Sequence, residues 1–323
     1  MTITSPFTAH STAREVIAGH DLSRKTVLVT GASSGLGIET VRAFLLAGAS
    51  VVLAVRDPAK GERAAQQLRT ETNNERVHVL TLDLGSLTSI RQAAEQFRVH
   101  WSRLDLLINN AGIMAVPLGY TPDGFEFHFG TNYLGHYLLT RLLLPVLRVA
   151  APARVVVLSS SGHRFSDIHF DDINYRTRPY DKWEAYGQSK TACALFAVGL
   201  TRHAGSQGIF ANAVNPGAIR TGLQQHLSSE DLQAMGWTDA QGHWLDPQIW
   251  KSPEQGVATS VWAAVGQELE GVGGLYLENC QEATPRDPTQ SSRGSGYLPY
   301  ALDPEHAERL WTLSQEWVGL EQR

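Results

Sequence analysis

Cysteine is scarce in this chain of 323 residues, which contains only Cys193 and Cys280. The two residues stand far apart and lack the spacing of metal ligands. Both lie in apolar surroundings, so we expect buried free thiols and a reducing compartment, the cytoplasm.

Long apolar runs are also missing. No stretch reaches the roughly 18 apolar residues that indicate a membrane-spanning helix. Residues 133–147 come closest, but they include His136, Arg141 and a proline, and they predict a buried helix. Residues 1–20 have no basic start followed by an apolar core, so we expect neither a signal peptide nor membrane association.

A large excess of either charge is absent. The net charge is −5, with 18% charged and 42% hydrophobic residues, as in an ordinary globular protein. Such a chain has no general attraction for nucleic acids or anionic membranes. Its length allows one large α/β domain or two modest ones.

A glycine-rich turn occupies residues 26–37, TVLVTGASSGLG. A β-branched apolar run breaks into Gly31, Gly35 and Gly37 and continues with helical composition. A strand, turn and helix in this order direct bare N–H groups and a helix N-terminus at one point, where a dinucleotide's pyrophosphate binds. The spacing is G-x-x-x-G-x-G rather than the usual G-x-G-x-x-G, and tight turns use the same residues.

Strand-like and helix-like segments alternate along most of the chain. The alternation predicts parallel strands joined by right-handed crossovers, hence an α/β fold with a Rossmann-type doubly wound sheet of about seven strands in a single domain. The predicted strands are residues 26–29, 51–55, 77–82, 104–108, 155–158, 210–214 and 274–277. The predicted helices are residues 38–47, 61–69, 87–101, 125–149, 183–203, 253–265 and 304–317.

Ligands of such sheets bind beyond the carboxyl ends of the strands. Arg56 follows the second predicted strand, where an arginine can pair with the 2′-phosphate of NADP, although it could also be a solvated strand-end charge. Asp83 and Leu84 follow the third, placed to cap a helix or to touch the adenine. Residues 109–112, Asn-Asn-Ala-Gly, follow the fourth and would let a cofactor approach the backbone closely.

Tyr186 and Lys190 carry the candidate chemistry. Their i, i+4 spacing places a phenol and an ammonium on one helix face, and a nearby positive charge favours the phenolate needed for acid/base work. The serines at 159–161 stand at the end of the fifth predicted strand and could bind a substrate oxygen. Taken separately, these patterns also fit an exposed helix pair and ordinary strand-end turn chemistry.

The order of these motifs along the chain closely resembles that of the short-chain dehydrogenase/reductase family, over roughly residues 25–280. The motifs are Thr30-Gly31-x-x-x-Gly35-x-Gly37, Asn109-Asn110-Ala111-Gly112, Tyr186-x-x-x-Lys190 and Asn215-Pro216-Gly217. The resemblance implies reversible hydride transfer between a nicotinamide and an alcohol or carbonyl compound. Arg56 matches the members that use NADP(H), with NAD(H) as the alternative cofactor.

The resemblance also implies four catalytic residues. Tyr186 would exchange a proton with the substrate oxygen, and Lys190 would assist it and hold the nicotinamide ribose. Ser160, rather than Ser159 or Ser161, would orient the substrate oxygen, and Asn132 would hold a water of the proton relay. The implied cofactor-binding residues are Gly31, Ser33, Ser34, Gly35, Leu36, Gly37, Arg56, Asp83, Leu84, Asn110, Ala111, Gly112, Tyr186, Lys190, Pro216, Gly217, Ile219 and Thr221.

An insertion separates Ser160 from Tyr186. Residues 163–185 resemble those of the retinol dehydrogenase, WW-domain oxidoreductase and protochlorophyllide reductase branch, as does the phrase Ser-Gly-His-Arg-Phe at 161–165. With no WW module or N-terminal membrane anchor expected, the chain is interpreted as a soluble, bacterial relative.

The substrate is expected under a lid at residues 223–250. Its aromatic content suggests a bulky, mostly apolar alcohol or ketone, although the same residues could only anchor the loop. Tyr276 and Leu277 are expected to line the same pocket. The bulky lid residues are Met235, Trp237, Trp244 and Trp250.

No H-E-x-x-H or C-x-x-C pattern occurs, so no metal site is predicted, and His136, His163 and His169 are interpreted as surface or hydrogen-bonded core residues. One alternative function is a catalytically silent dinucleotide-binding sensor or interaction protein. Another is a nucleotide-sugar epimerase or dehydratase, which usually has a G-x-x-G-x-x-G turn and a larger substrate domain.

The expected organisation is an N-terminal arm at residues 1–24, a Rossmann-type domain at 25–282 and a C-terminal extension at 283–323. Family members commonly pair through the helices that carry Asn132 and Tyr186, so a homodimer or homotetramer is a further expectation. The C-terminal extension could block or extend that contact.

Overall fold

A computed structural model describes residues 2–246, 249–287, 289 and 294–320. Its main sheet has eight strands in the order β10-β9-β6-β5-β4-β1-β2-β3, and a second sheet pairs β7 with β8. The strands are β1 Thr26–Thr30, β2 Ser50–Val55, β3 Val77–Thr81, β4 Leu106–Asn109, β5 Ala153–Leu158, β6 Ile209–Asn215, β7 Ala218–Ile219, β8 Trp250–Lys251, β9 Tyr276–Glu278 and β10 Gln281–Glu282.

Helices cover both faces of the sheet. The helices are α1 Ala13–Ile17, α2 Gly35–Leu46, α3 Pro58–Thr72, α4 Leu87–His100, α5 Gly135–Val149, α6 Lys182–Ala204, α7 Ser229–Ala234, α8 Pro253–Gly256, α9 Ala258–Val265 and α10 Pro304–Trp317. One core contains side chains of α4, α5, α6 and α10, and the other contains side chains of α1, α2, α3 and α9. The central strands β1 and β4 are buried at every residue, as expected for parallel strands covered on both sides.

The predicted doubly wound α/β fold is confirmed, and the seven expected strands form the parallel part of the sheet. The eighth strand, β10, was not predicted. It returns antiparallel to β9 through a two-residue turn whose residues Asn279 and Cys280 have φ of 53° and 57°. Asparagine tolerates this left-handed backbone, but cysteine is not a typical turn residue, so the sequence pattern does not indicate the hairpin.

Several predicted helices differ by a few residues at their ends, and two are divided in the structure. The segment predicted at 125–149 contains a π-helix, Phe129–Leu134, that continues into α5. The segment predicted at 253–265 divides into α8 and α9 on either side of Val257. Six residues are too few for the apolar pattern to distinguish the period of a π-helix from that of an α-helix.

The two ends of the chain pack on opposite parts of the domain. The Ile3 N–H donates to the Glu282 carboxylate on β10, the Ile3 carbonyl accepts from the Glu282 N–H, and α1 packs against α9. Helix α10 packs against α6, where Trp311 stacks on His203 at a centroid distance of 4.4 Å. The predicted division at residues 24 and 282 and the pairing of subunits stay predictions.

None of the helices in the described part of the chain is long and apolar enough to cross a membrane.

Candidate active site

A cleft of about 1370 Å³ lies at the carboxyl ends of β1, β2, β4, β5 and β6. Its size exceeds that of a typical drug-sized pocket and provides room for a dinucleotide together with a substrate. All of the predicted cofactor-binding residues line it, and so do Ser160, Tyr186 and Lys190. Asn132 alone of the predicted set lies behind the wall, 1% exposed.

The glycine-rich turn connects β1 to α2 in the predicted way. A Cβ atom on Gly37 would lie 2.2 Å from the carbonyl oxygen of Gly31, so a side chain there would push the helix away from the turn. Gly31 has a φ of 66° and approaches Ala111 closely. The N-cap residue Ser34 makes no side-chain capping bond, so its side chain does not occupy the backbone N–H groups of the first turn of α2. The residues of this first turn line the cleft. This cradle fits a pyrophosphate.

The loop after β4 is held to the glycine-rich turn by Thr30. The buried Thr30 hydroxyl accepts hydrogen bonds from the N–H groups of Asn110 and Ala111, at 2.9 and 3.0 Å. The Asn110 side chain donates to the Thr30 carbonyl at 2.7 Å. Thr30 Oγ1 also lies 2.8 Å from Nε2 of the buried His136. The two loops that would contact the cofactor therefore form one hydrogen-bonded unit.

His136 connects that unit to Asn132. Its Nδ1 lies 2.8 Å from the carbonyl oxygen of Asn132, so Nδ1 carries the proton and Nε2 accepts from Thr30. Burial lowers the pKa of His136 to about 4, and the ring is neutral near neutral pH. The Asn132 side chain accepts from the Ile113 N–H at 2.8 Å and donates to Ser189 at 2.9 Å.

Ser160, Tyr186 and Lys190 meet at the end of β5. The Ser160 hydroxyl accepts from the Gly162 N–H at 3.0 Å and lines the cleft, whereas Ser159 donates to the Lys190 carbonyl and is buried. Lys190 Nζ lies 5.8 Å from the centre of the Tyr186 ring and donates to the Leu158 carbonyl at 2.9 Å.

Gly162 allows the Tyr186 ring to approach the backbone closely. A Cβ atom on Gly162 would lie 2.5 Å from Tyr186 Cε1. The Tyr186 ring thus packs directly on the backbone two residues after Ser160, which brings hydroxyl and phenol to the same wall. The absence of a side chain at position 162 is what permits this approach.

Positive side chains gather where β2 ends. The predicted Arg56 lines the cleft together with Lys60, one helical turn further, and Arg63. Arg63 was not singled out by the sequence analysis. Its position seven residues after Arg56, on α3, was the available signal, because α3 begins directly after Arg56 and Asp57 and runs along the cleft.

The other end of the cleft is apolar. Met114, Phe165 and Trp183 line it together with Trp237 and Trp250 from the predicted lid. Trp237 stands edge-on to both other tryptophans, at centroid distances of 6.3 Å and 5.5 Å. Sequence reasoning missed Trp183, although its position three residues before Tyr186 on α6 places both on one helix face.

The expectation for Tyr276 and Leu277 was wrong. Both are buried, and neither lines the cleft. The Tyr276 hydroxyl instead donates to the Ser160 carbonyl at 2.9 Å, while Leu277 faces the core on the opposite face of the sheet. The predicted strand ended at Leu277, but β9 continues to Glu278, so the residues at this strand end that line the cleft are Glu278 and Asn279.

The three histidines differ in environment. His163 is buried, donates from Nδ1 to the Ser160 carbonyl at 2.7 Å, and accepts at Nε2 from the Leu298 N–H at 3.1 Å. Burial lowers the pKa of His163 to about 4. His169 is exposed and lies 3.0 Å from Glu184. Within the described ranges, no group of three or more His, Cys, Asp or Glu residues is arranged to hold a metal ion.

The fold and this cleft define the class of protein: a dinucleotide-binding oxidoreductase whose cleft is lined by a tyrosine and a lysine of one helix. The short chain dehydrogenase family model matches residues 25–232. A "Probable oxidoreductase" from Streptomyces lividans is 46% identical over 292 residues, which cover 90% of this chain and 96% of the relative. Retinol dehydrogenase 13 from Mus musculus is 42% identical over 296 residues, which cover 92% and 84%.

The solved Pseudomonas aeruginosa RhlG/NADP active-site complex superposes with a TM-score of 0.60 at 25% identity, covering 80% of this chain and 95% of that one. The chain belongs to the short-chain dehydrogenase/reductase family, and it resembles the retinol dehydrogenase branch as predicted. It is a dehydrogenase/reductase that uses a nicotinamide dinucleotide and acts on small molecules.

Proposed function

We propose that the protein transfers a hydride between NADP(H) and a bulky, mostly apolar alcohol or carbonyl compound. The observation that carries the proposal is the convergence of Ser160, Tyr186 and Lys190 on the cleft formed by the glycine-rich turn. The nicotinamide supplies or accepts the hydride when bound, and the protein aligns the substrate and handles the proton.

Tyr186 is the proposed acid/base. Its ring lies on Gly162 beside Ser160, so one substrate oxygen can contact both hydroxyls. In the oxidative direction, Tyr186 accepts the proton of the substrate alcohol, and Lys190 Nζ lies 5.8 Å from the centre of its ring. In the reductive direction, Tyr186 returns that proton to the oxygen of the carbonyl group.

The preference for NADP(H) over NAD(H) rests on charge. Arg56, Lys60 and Arg63 line the cleft together, beyond the carboxyl end of β2, where we expect the adenosine ribose to bind. The acidic group that would accept from a free ribose 2′-hydroxyl is replaced by Arg56 directly after β2. The structural relative RhlG has an active-site complex with NADP, which agrees with this assignment.

The substrate class follows from the apolar end of the cleft. Met114, Phe165, Trp183 and Trp237 offer flat and adaptable hydrophobic surfaces next to Tyr186. Their aromatic area suits a large hydrophobic body attached to the reacting carbon. The free buried thiols of Cys193 and Cys280 suit the reducing cytoplasm as the place of action.

Titration of the purified protein with NADPH and NADH, followed by cofactor oxidation against a panel of aliphatic and aromatic aldehydes and ketones, tests the proposal. We expect tighter binding of NADPH and faster turnover of the bulky apolar carbonyls. Equal affinity for both cofactors would remove the assigned role of Arg56. Failure to bind either cofactor would contradict the proposed function as a whole.

A further inference from the structure

A segment near the C-terminus, residues 294–300, forms part of the cleft wall. Gly294 and Ser295 line the cleft, although the family model ends at residue 232. The backbone at Gly296 has a φ of 98°, and a Cβ there would lie 2.6 Å from the Thr284 carbonyl oxygen. Only glycine fits this position, so the path of the segment is closely determined.

The segment is tied to the loop that follows Ser160. The Gly296 carbonyl accepts from Arg164 Nη2 at 2.5 Å, and the Leu298 N–H donates to His163 Nε2 at 3.1 Å. The Tyr300 hydroxyl donates to the His163 carbonyl at 2.8 Å. Three separate bonds therefore end on two residues that stand three and four positions after Ser160.

A second connection passes through two buried side chains, Glu278 and Asn215. One Glu278 carboxylate oxygen accepts from the Gly296 N–H, and the other accepts from Asn215 Nδ2 at 3.1 Å. Asn215 Oδ1 in turn accepts from the Ser161 N–H at 3.3 Å and the Gly217 N–H at 3.2 Å. Glu278 is 6% exposed and Asn215 is 7% exposed.

The direction of every bond in this network is determined by the backbone. The two N–H groups of Ser161 and Gly217 can only donate, so the Asn215 oxygen must face them and its NH₂ must face Glu278. The Gly296 N–H can also only donate. Position 278 therefore receives two donors and needs two acceptor oxygens, which a carboxylate has and an amide does not.

We propose that Glu278 is a positioning residue that couples the C-terminal segment to the two loops flanking the reaction site. Through Asn215 it sets the backbone after Ser160 and the backbone of Gly217, which follows β6 and is one of the predicted cofactor-binding residues. The catalytic part of this inference rests on the proposed function. The coupling itself is a property of the folded protein and can be tested without cofactor.

The test is a hydrogen-bond swap. In Glu278→Gln, the new amide NH₂ must face either the Gly296 N–H or the Asn215 NH₂, and donor meets donor in both cases. In Asn215→Asp, two carboxylates face each other. In the double variant, the new carboxylate at position 215 can accept from the new amide NH₂ at position 278 and from both backbone N–H groups. The amide oxygen at position 278 then accepts from the Gly296 N–H, and the net charge of the protein is unchanged.

Hydrogen–deuterium exchange on the cofactor-free protein provides the first readout. We expect each single variant to raise exchange in peptides covering residues 159–165, 214–219 and 294–300, and the double variant to restore protection in all three. If Glu278→Gln raises exchange only at 294–300, the C-terminal segment is merely docked and the coupling is refuted. Additive effects in the double variant would refute it as well.

Catalysis provides the second readout, with NADPH oxidation and 4-nitrobenzaldehyde as the probe substrate. We expect kcat to fall roughly ten- to a hundredfold in Glu278→Gln, because small misplacements of reacting groups have effects of this size. The double variant should recover most of that loss. A loss of thermal stability with unchanged kcat would assign Glu278 a purely structural role. Without NADPH turnover in the unmodified protein, the proposed function fails while the exchange experiment still decides the coupling.

Glu282→Gln is the matched control. Glu282 lies on β10 of the same hairpin, and its carboxylate accepts one backbone N–H, that of Ile3, at 2.7 Å. A glutamine oxygen can accept this single bond, so we expect unchanged exchange at residues 159–165 and unchanged kcat. An effect as large as that of Glu278→Gln would mean that the hairpin responds to any change of charge, and would contradict the specific network.

Discussion

The two ends of the cleft are formed by different parts of the protein, main-chain groups at one end and large side chains at the other. The end proposed to bind the cofactor, called the cofactor end, uses backbone: the turn at Gly31 and Gly37, the loop held by Thr30, and an uncapped helix N-terminus. The end proposed to bind the substrate, called the substrate end, uses large side chains from distant segments, such as Trp183 on α6 and Trp237 in the lid. A backbone cradle tolerates few changes because no rotamer can adjust, whereas an aromatic wall can be altered residue by residue.

Tyr186 stands between the two ends, and Tyr186→Phe should have the largest effect. Removal of the phenolic hydroxyl takes away the proposed proton donor but leaves the ring on Gly162, so NADPH should still bind while kcat falls roughly 10³-fold. Fluorescence titration and steady-state kinetics measure the two quantities. Substantial turnover in this variant would disprove the role of Tyr186.

The two ends also differ in the buried histidines that support them. His136 supports the cofactor end and His163 the substrate end, and burial lowers the pKa of each to about 4. The unfolded chain takes up their protons near pH 6.5, before the native state does, so the free energy of unfolding should fall between about pH 6.5 and 4 by up to about 3 kcal/mol per histidine. Above that range the histidines contribute no pH dependence.

Urea unfolding between pH 4 and 7 measures this fall. His163→Gln removes one titrating ring while keeping a side chain that can accept from Leu298, so its pH dependence should be shallower than that of the unmodified protein. His136→Gln should reduce the pH dependence of the free energy of unfolding by a similar amount. If neither variant changes the slope, other groups are responsible for the acid lability.

Gly37→Ala tests the rigidity of the cofactor end. The added methyl group would lie 2.2 Å from the Gly31 carbonyl oxygen, so the turn must move, at a cost of about 1–3 kcal/mol in stability and with weaker NADPH binding. Gly222→Ala, directly before the lid, is the matched control, since no atom of the described residues lies within 4 Å of its added Cβ. Equal NADPH affinity in the two variants would contradict the distinction between the ends.

Arg56→Asp should change cofactor choice without touching the substrate end. Loss of one charge-assisted contact to a phosphate and the gain of an acceptor for a ribose hydroxyl should move the ratio of NADPH to NADH affinity by about tenfold or more. Parallel titrations with both cofactors measure that ratio. An unmoved ratio would assign the selection to Lys60 or Arg63.

Trp237→Ala should have the smallest effect and should act only at the substrate end. We expect KM for bulky aromatic carbonyls to rise several-fold, because one hydrophobic contact in a pocket contributes about 1–3 kcal/mol at most. NADPH affinity and KM for a short aliphatic aldehyde should not change. A comparable rise of KM for the short substrate would show that Trp237 only anchors the lid.

Local patterns in the sequence determined the sheet and the cofactor end. Three short windows each combine the end of a strand, a turn and small residues, so their geometry follows from local backbone preferences. These windows are residues 26–37, 109–112 and 215–217. The Tyr186 and Lys190 pair was readable for the same reason, because helical periodicity places i and i+4 together. The helix at 304–317 was predicted with its observed limits, since Asp303 caps it and Pro304 begins it.

Only the tertiary structure decided which distant residues complete the site. Trp183 and Trp237 are 54 positions apart, and Glu278 lies 63 positions from Asn215, so no local pattern connects them. Tyr276 lies outside the cleft because β9 ends one residue later than the sequence pattern indicates, and the β10 hairpin depends on a cysteine in a left-handed conformation. The sequence alone determined the glycine-rich cradle that we propose for the dinucleotide, because backbone geometry is local. Tertiary packing determined the substrate wall and its coupling to the C-terminal segment, because those contacts exist only once the chain is folded.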